Sequence, residues 1–212
     1  ALDAIEEEIA PKLAAHQDSI NLNPALFKRI KDLYDARESL GLNSEDAWLL
    51  ERYFKDLIHA GAHLTDAQRA RLKELNEELS SIETQFSKNV LADTNDLAVL
   101  VDSIEELDGL SENEIAAAAA AAKDRGHEGK WLIGMVNFTG NPVLDSLTNR
   151  ELRKKIMQAS LLKANRPNDN DNKPVLLQMV KLRAERAKLF GKETHAEHVI
   201  AVQTAEHPDN VH

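Results

Sequence analysis

The stretch that decides the fold is residues 65–91, TDAQRARLKELNEELSSIETQFSKNVL. Its first four residues match a capping box, in which the side chains of Thr65 and Gln68 each bond a backbone N–H group of the other residue. Apolar side chains follow at steps of three and four residues, at Leu72, Leu75, Leu79, Ile82 and Phe86. This period predicts one long helix over about 66–92 whose apolar stripe packs into a core, because such stripes serve packing more often than binding.

Shorter helical patterns extend from this segment toward both ends of the chain. Pro11 interrupts the first pattern, residues 1–16, and should kink or split that helix. Ser111 and Glu114 form a second capping box, which opens an alanine-rich helix with Gly126 as its C-terminal glycine. Two further helices are predicted at 24–40 and 44–61. Another begins at 148 or 149, a separate one ends at about 190, and the last begins near 194.

Two short apolar segments depart from the helical period. Residues 97–101, LAVLV, and 130–136, KWLIGMV, are strand candidates on either side of the alanine-rich helix. The sequence leaves open whether they pair with each other. The run Ala116–Ala122 between them favours helix but buries little area, so this helix should lie close against a neighbour or at the surface. The expected fold class is mainly α, with a small two-strand element at about 97–101 and 130–136.

Composition excludes several classes of partner. The chain has 212 residues, a formal net charge of −10 and no cysteine. An acidic chain repels nucleic acid unless basic residues cluster, and the longest basic run is only Arg153–Lys155. No apolar run approaches the roughly 20 residues that span a bilayer, and a chain without cysteine has neither a disulfide nor a thiolate nucleophile. We therefore expect no nucleic-acid partner, no membrane partner and a cytoplasmic location.

The sequence carries no zinc-peptidase motif. Such a site needs two histidines four residues apart on one helix and a glutamate directly after the first, HExxH. His127 and Glu128 begin this pattern, but Trp131 stands where the second histidine should be. Neither a phosphate-binding glycine loop nor the sequence context of a nucleophilic serine occurs. We assign no catalytic, cofactor-binding or metal-ligating residue in this chain.

Two histidine pairs come closest to a metal site. His195 and His198 are three residues apart in KETHAEHVI, with Glu197 between them, and His59 and His63 are four residues apart. A catalytic zinc needs three protein ligands, and neither pair has an evident third. We interpret the first pair as helix surface near an N-terminus and the second as part of a helix end. The alternative, a metal-binding protein that uses either pair, predicts measurable zinc binding.

Residues 168–172, NDNDN, have the oxygen-rich composition of a calcium-binding loop. The segment lacks the glycine at the sixth position and the glutamate at the twelfth position that an EF-hand requires. We therefore interpret it as a solvated turn between two helices.

Several segments, taken in order, resemble the thimet oligopeptidase family of zinc metallopeptidases, and most closely its bacterial peptidyl-dipeptidase branch. The segments are IEEEIAPKLAAHQDSINLNPALFKRI (5–30), LLERYFKDLIHAGAHL (49–64), LNEELSSIETQFSKNVL (75–91), ELDGLSENEI (106–115), SLTNRELR (146–153) and LRAERAKLFG (182–191). In this family a helix of the type GxxxHAxYVL follows the last glycine, and the chain reads GKETHAEHVI from Gly191. His198 thus stands where tyrosine is common, which argues for packing and hydrogen bonding rather than for metal ligation.

The resemblance implies a neurolysin-like, mainly helical portion from the N-terminal side of a zinc-dependent oligopeptidase or peptidyl-dipeptidase. Residues 1–212 would be a single helical piece, truncated at both ends, with the catalytic domain and its HExxH region outside the chain. The full-length parent would bind zinc and cleave short peptides, while this piece alone would bind no cofactor and be inactive. The alternative is a non-catalytic helical module that binds another protein.

Overall fold

The computed structural model describes residues 2–211, with side chains for 4–136 and 142–211, so both end residues of the expected piece 1–212 lie outside it. The chain is mainly α-helical, as predicted. Its helices are α1 (Leu2–Asn21), α2 (Pro24–Asp35), α3 (Ser44–Ala60), α4 (Asp66–Asp96), α5 (Glu112–Asp124), α6 (Asn137–Ser146), α7 (Arg150–Leu161), α8 (Asn172–Leu189) and α9 (His195–Ile200). The strands are β1 (Val99–Val101) and β2 (Trp131–Ile133), and short 3₁₀ turns lie at Arg37–Ser39, Ile104–Leu107 and Pro208–Val211.

The described chain divides into two compact units. The first comprises the residues up to Gln85 together with those from Leu176 onward, and the second comprises Phe86–Val175. The divisions fall inside α4 and α8. Within the described residues, no helix is both long and apolar enough to cross a membrane.

The first unit is built on the apolar stripe of α4. Leu72 and Leu75 are almost completely buried, and Leu72 packs in a cluster with Leu22 and Leu64. Thr65 donates its backbone N–H to the side-chain oxygen of Gln68 at 3.0 Å, and the Gln68 N–H returns a bond to the Thr65 hydroxyl at 3.3 Å. The capping box and the packing role of the stripe are therefore both confirmed.

The helix α1 runs without a break from Leu2 to Asn21 with Pro11 inside it, so of the expected kink or split the split is wrong. Proline removes one backbone donor and crowds the preceding turn, but a long helix continues when the hydrogen bonds on both sides stay intact. In the following hairpin, α2 and α3 pack through aromatic rings, because Tyr34 stacks on Phe54 at 4.0 Å between ring centroids.

The second unit holds the strand pair. The strands β1 and β2 pair antiparallel, with Val99 opposite Ile133 and Val101 opposite Trp131, which answers the question that the sequence left open. Both strands are shorter than the predicted 97–101 and 130–136. The N–H of Leu97 still bonds the Asp93 carbonyl at 2.9 Å at the end of α4, and α6 begins directly after Val136.

Local signals fix both ends of α5. The Ser111 N–H donates to the Glu114 carboxylate at 2.8 Å, and the Glu114 N–H donates to the Ser111 hydroxyl at 3.3 Å. At the other end, the N–H of Gly126 bonds the Lys123 carbonyl and the N–H of His127 bonds the Ala122 carbonyl, each at 2.9 Å. This is the Schellman pattern, and it confirms Gly126 as the C-terminal glycine.

The alanine-rich helix α5 lies close against a neighbouring element, which was one of the two expected placements, the other being the protein surface. Ala118 and Ala122 are buried, and α5 packs against β2.

The helix α6 was not predicted, because the sequence NFTGNPVLDS contains a glycine and a proline that lower helix propensity. The core of this unit combines strand and helix residues, among them Val99, Val101, Leu107, Ile133, Leu147, Leu152 and Ile156.

Gly109 permits a close backbone approach in the second unit. Its φ is +95°, and a Cβ atom built there would lie 2.1 Å from the Ser146 carbonyl oxygen. Thr148 fastens the same approach, because its N–H donates to the Asp108 carbonyl at 2.9 Å and its hydroxyl donates to the Asp108 carboxylate at 2.6 Å.

We expect Gly109→Ala to destabilise the chain by about 3 kcal/mol, because the methyl group meets backbone and the positive φ is strained. Gly126→Ala is the matched control, since its φ is +78° but a Cβ would meet no atom within 4 Å. The control should cost only about 1 kcal/mol of conformational strain. Urea unfolding of both variants measures the difference, and equal losses would contradict the packing role of Gly109.

Candidate functional site

The histidines singled out in the sequence meet in an aromatic stack in the first unit. The rings of His59 and His198 are nearly parallel, with an interplanar angle of 7° and 4.3 Å between centroids. Phe190 covers His198, also at 4.3 Å and with an angle of 30°. His63 approaches Phe190 at 6.1 Å with a tilted ring. The stack joins the end of α3, the end of α8 and α9, and we call His59, His198 and Phe190 the imidazole stack.

Local capping places His198 in this stack. Thr194 is the N-cap of α9, and its hydroxyl accepts the Glu197 N–H at 3.1 Å. On the other side, Gly61 ends α3 in a left-handed conformation directly after Ala60, as the interpretation of a helix end required. Because His63 follows this turn, it does not share a helix face with His59.

The imidazole stack is electrostatically neutral. Burial is the main cause that lowers the pKa of His198 to about 4, and the neighbouring groups of His59, Arg186, His195 and Lys192 contribute to the same shift. Burial also lowers the pKa of His59, with Asp56 opposing the shift and Arg186 adding to it. Both rings therefore carry no charge at neutral pH, which is the state in which parallel rings stack without repulsion.

The two histidines that stack come from different pairs in the sequence, and the interpretation of His195 and His198 as helix surface is wrong for His198, which is buried. The sequence pairs were His195 with His198 and His59 with His63, whereas the rings that stack are His59 and His198. Stacked parallel rings present their faces to each other, but a shared metal needs in-plane nitrogen lone pairs that converge on one point about 2.0–2.1 Å away. The histidine arrangement therefore fits packing and does not fit a zinc site.

The other candidate ligands have different roles. His195 is half-buried, and burial followed by the charges of Arg186 and Arg183 lowers its pKa. Glu197 accepts a hydrogen bond from the Lys192 ammonium at 2.9 Å and another from the Glu193 N–H at 3.0 Å. Among the described residues, no group of three or more histidine, aspartate or glutamate side chains could hold a metal ion.

The asparagine-rich loop is organised by a buried carboxylate of the second unit. Asp93, on the last turns of α4, is completely buried. Its Oδ1 accepts from Arg166 Nη2 at 2.6 Å and from the side-chain amides of Asn168 and Asn170 at 3.1 Å each. Its Oδ2 accepts from the Ala164 N–H at 2.8 Å and from Arg166 Nε at 3.3 Å. We call these contacts the Asp93 hub.

The Asp93 hub keeps its carboxyl group ionised. The hydrogen-bonded Arg166 guanidinium is the main cause that holds the pKa of Asp93 well below its ordinary range. Burial opposes this shift, while Asn170, Asn168 and the Ala164 N–H add to it. Five donors thus stabilise the charged form.

The interpretation of residues 168–172 as a solvated turn is therefore wrong in one respect. The segment does connect α7 to α8, but its amide nitrogens turn inward toward Asp93. Asn172 is buried, accepts from the Asn89 amide at 2.8 Å and donates to the Phe86 carbonyl at 3.0 Å. The loop is a structural closure whose polar groups are largely used by the protein itself.

A cavity of about 380 Å³ lies beside the alanine face of α5. Its lining includes the apolar residues Ala117, Ala121, Leu132 and Val143, together with the charged residues Glu114, Asp124 and Arg125. The small alanine side chains leave this space because they fill little volume. A ligand site needs an apolar wall and also polar groups placed to orient the ligand. We assign no ligand site to this cavity.

Comparison with known proteins shows which family the chain is similar to. Residues 143–212 match Peptidase family M3. Relatives that carry peptidase names align with 95% or more of the chain. The chain is therefore similar to the M3 peptidases, and the resemblance to the thimet oligopeptidase family is confirmed.

Three of these relatives show how much of a peptidase the chain represents. Dipeptidyl carboxypeptidase of Escherichia coli is 36% identical over 208 residues, which cover 98% of this chain and 30% of that protein. Probable cytosolic oligopeptidase A of Arabidopsis thaliana is 30% identical over 210 residues, covering 96% of this chain and 30% of that protein. Oligopeptidase A of Salmonella typhimurium is 29% identical, covering 97% and 31%. The chain spans about 30% of the length of these curated relatives.

Acid should weaken the fold through His198. The unfolded chain binds a proton at an ordinary histidine pKa of about 6.5, whereas folded His198 binds one only near pH 4. Its contribution to stability is present above pH 6.5 and is lost as the pH falls toward 4. Between pH 7 and pH 5 we expect a loss of about 1–2 kcal/mol that His198→Tyr abolishes.

Urea unfolding at pH 7 and pH 5 measures this loss, with His16→Tyr on exposed α1 as the matched control. The control should keep the pH dependence of the unsubstituted chain. At pH 7 we expect His198→Tyr to change the free energy of unfolding by less than about 1 kcal/mol, because tyrosine fits a packing position. A loss of several kcal/mol at pH 7 would mean that the imidazole has a specific role.

Replacing the hub carboxylate should be costly. We expect Asp93→Asn to lower the free energy of unfolding by about 3–5 kcal/mol, because Arg166 loses its buried counter-charge and the new amide faces other donors. Asp96→Asn is the matched control, since Asp96 also contacts Arg166 Nη2, at 2.6 Å, but its side chain is 65% exposed. The control should change stability by no more than about 1 kcal/mol. Comparable losses in urea unfolding would show that burial of Asp93 is not what matters.

Proposed function

We propose that this chain is the scaffold and channel-wall portion of a zinc-dependent oligopeptidase or peptidyl-dipeptidase that cleaves short peptides. The observation that carries the proposal is the alignment of 98% of the chain with dipeptidyl carboxypeptidase of Escherichia coli at 36% identity. That match covers 30% of the relative, so the chemistry would come from residues outside the matched part. A cytoplasmic location and the absence of nucleic-acid and membrane partners belong to the same proposal.

Within this proposal, the residues of the chain shape and support rather than react. The Asp93 hub fixes the connection between α7 and α8, and the imidazole stack fixes α9 against α3 and α8. Rigid support of this kind is what holds a catalytic group in its productive geometry.

Zinc in the full-length parent would activate a water molecule and polarise the peptide carbonyl group. The stacked pair His59 and His198 does not fit a zinc site, because parallel rings cannot direct their nitrogens to one point. We therefore derive no catalytic step through this chain and assign zinc to the remainder of the parent enzyme.

The proposal predicts that the chain is inactive alone and functional in context. The isolated chain should not cleave short peptides with or without added zinc, because it would carry only support. A chimera of the Escherichia coli dipeptidyl carboxypeptidase, with its matched segment replaced by this chain, should release dipeptides from the C-terminus of a short peptide. The unmodified relative and the relative with the segment deleted are the two controls.

Either of two results would overturn the proposal. The first is peptide cleavage by the isolated chain that a chelator stops, since this would put the catalytic groups inside the chain. The second is a chimera that folds, by circular dichroism and cooperative melting, but is no more active than the deletion control.

A further inference from the structure

The helix α1 has a polar attachment to the first unit on one side. Asp18 is 8% exposed, and both of its carboxylate oxygens accept from the Asn76 amide at 3.0 Å. The side-chain amide oxygen of Asn76 in turn accepts a hydrogen bond from Arg186 Nη1 at 3.4 Å. Ala14, one turn earlier on the same side, is half-buried. The inward face of α1 therefore consists of small and polar side chains.

The large apolar side chains of α1 lie on the opposite side and are exposed. Their exposed fractions are 57% for Ile5, 39% for Ile9, 61% for Leu13 and 44% for Ile20. At the helical period these four positions fall within about 80° of arc, roughly opposite Asp18. We call them the α1 stripe.

An exposed stripe of this kind indicates a contact surface. Single exposed leucines are ordinary, but four large apolar side chains aligned on one helix mark a place where another surface binds. A surface helix that lacked a second partner would turn this face toward its own core. Here the core contact uses Asp18 instead, so α1 has the pattern of a helix covered on both sides.

The geometry points to a second helix as the occupant. From Ile5 to Ile20 the stripe is about 22 Å long, and its steps of four and seven residues form a ridge that fits the groove of a neighbouring helix. The neighbouring helix should be apolar along this length, because between Ile5 and Ile20 the only polar side chain on the same face of α1 is His16.

We propose that the α1 stripe packs against an apolar helix from the part of an M3-type peptidase outside the matched segment. This inference rests on the proposed function. In the relatives that part is more than twice as long as the matched segment, so it supplies ample helical surface. The stripe is thus the face by which this piece is fastened to the remainder of the enzyme.

The test compares one substitution in two contexts. Leu13→Lys should leave the melting temperature of the isolated chain unchanged within about 1 °C, because Leu13 is exposed there. In the Escherichia coli chimera the same substitution should lower the melting temperature by at least about 3 °C, because lysine would be forced into an apolar contact. Gln17→Lys is the matched control, with the same charge on the same helix off the stripe, and should have little effect in either context.

Three outcomes decide against the inference. Equal effects of Leu13→Lys in both contexts would show that nothing covers the stripe in the enzyme. A dimer of the isolated chain in sedimentation equilibrium, dissociated by Leu13→Lys and not by Gln17→Lys, would assign the stripe to a second copy. If the chimera does not fold, lysine at the aligned position of the intact Escherichia coli protein gives the deciding measurement, and an unchanged melting temperature there overturns the inference.

An active chimera that is insensitive to Leu13→Lys would refute the inference and leave the proposed function standing. A chimera that folds without activity, yet loses stability with Leu13→Lys, would refute the proposed function and support the contact of the α1 stripe. The activity and the melting temperature therefore report separately on the two proposals.

Discussion

The buried carboxylate of Asp93 is the constraint on which the second unit depends. A charge without solvent is tolerated only when it is paired and fully hydrogen-bonded, since an unpaired one costs several kcal/mol. Four loop residues supply its donors and are thereby held in place, namely Ala164, Arg166, Asn168 and Asn170. The loop closes when the Asn172 N–H bonds the Ala164 carbonyl at 2.9 Å, and α8 begins at that residue.

In the first unit the corresponding role falls to uncharged aromatic rings. The imidazole stack holds only because burial keeps His198 neutral, so the same packing that fastens α9 also removes the basicity that chemistry would use. Histidine at a position where the resembling family commonly has tyrosine is thus accommodated as an aromatic ring. The Asp93 hub and the imidazole stack lead to the same conclusion. In both, the polar and titratable side chains stabilise the fold.

The sequence predicted what is encoded locally. Both capping boxes, the α4 stripe and the Schellman end at Gly126 depend on residues three to five apart, and the structure contains all of them. The Asp93 hub joins residues 71 to 77 apart, and no local pattern marks which carboxylate will be buried. His59 and His198 lie even further apart in the chain, so local spacing could not indicate that their rings stack. The signal that could have found the hub is the concentration of amide side chains in residues 168–172, which was interpreted as solvated.

We propose that this chain supports an M3-type enzyme and supplies no metal ligands of its own. Equilibrium dialysis of the isolated chain against micromolar zinc at pH 7.5 is the direct test, with the His59→Phe and His198→Tyr variants dialysed beside it. We expect no stoichiometric zinc binding by any of the three proteins, because stacked neutral rings present their faces rather than nitrogen lone pairs to each other. One zinc bound per chain, lost in either variant, would contradict it.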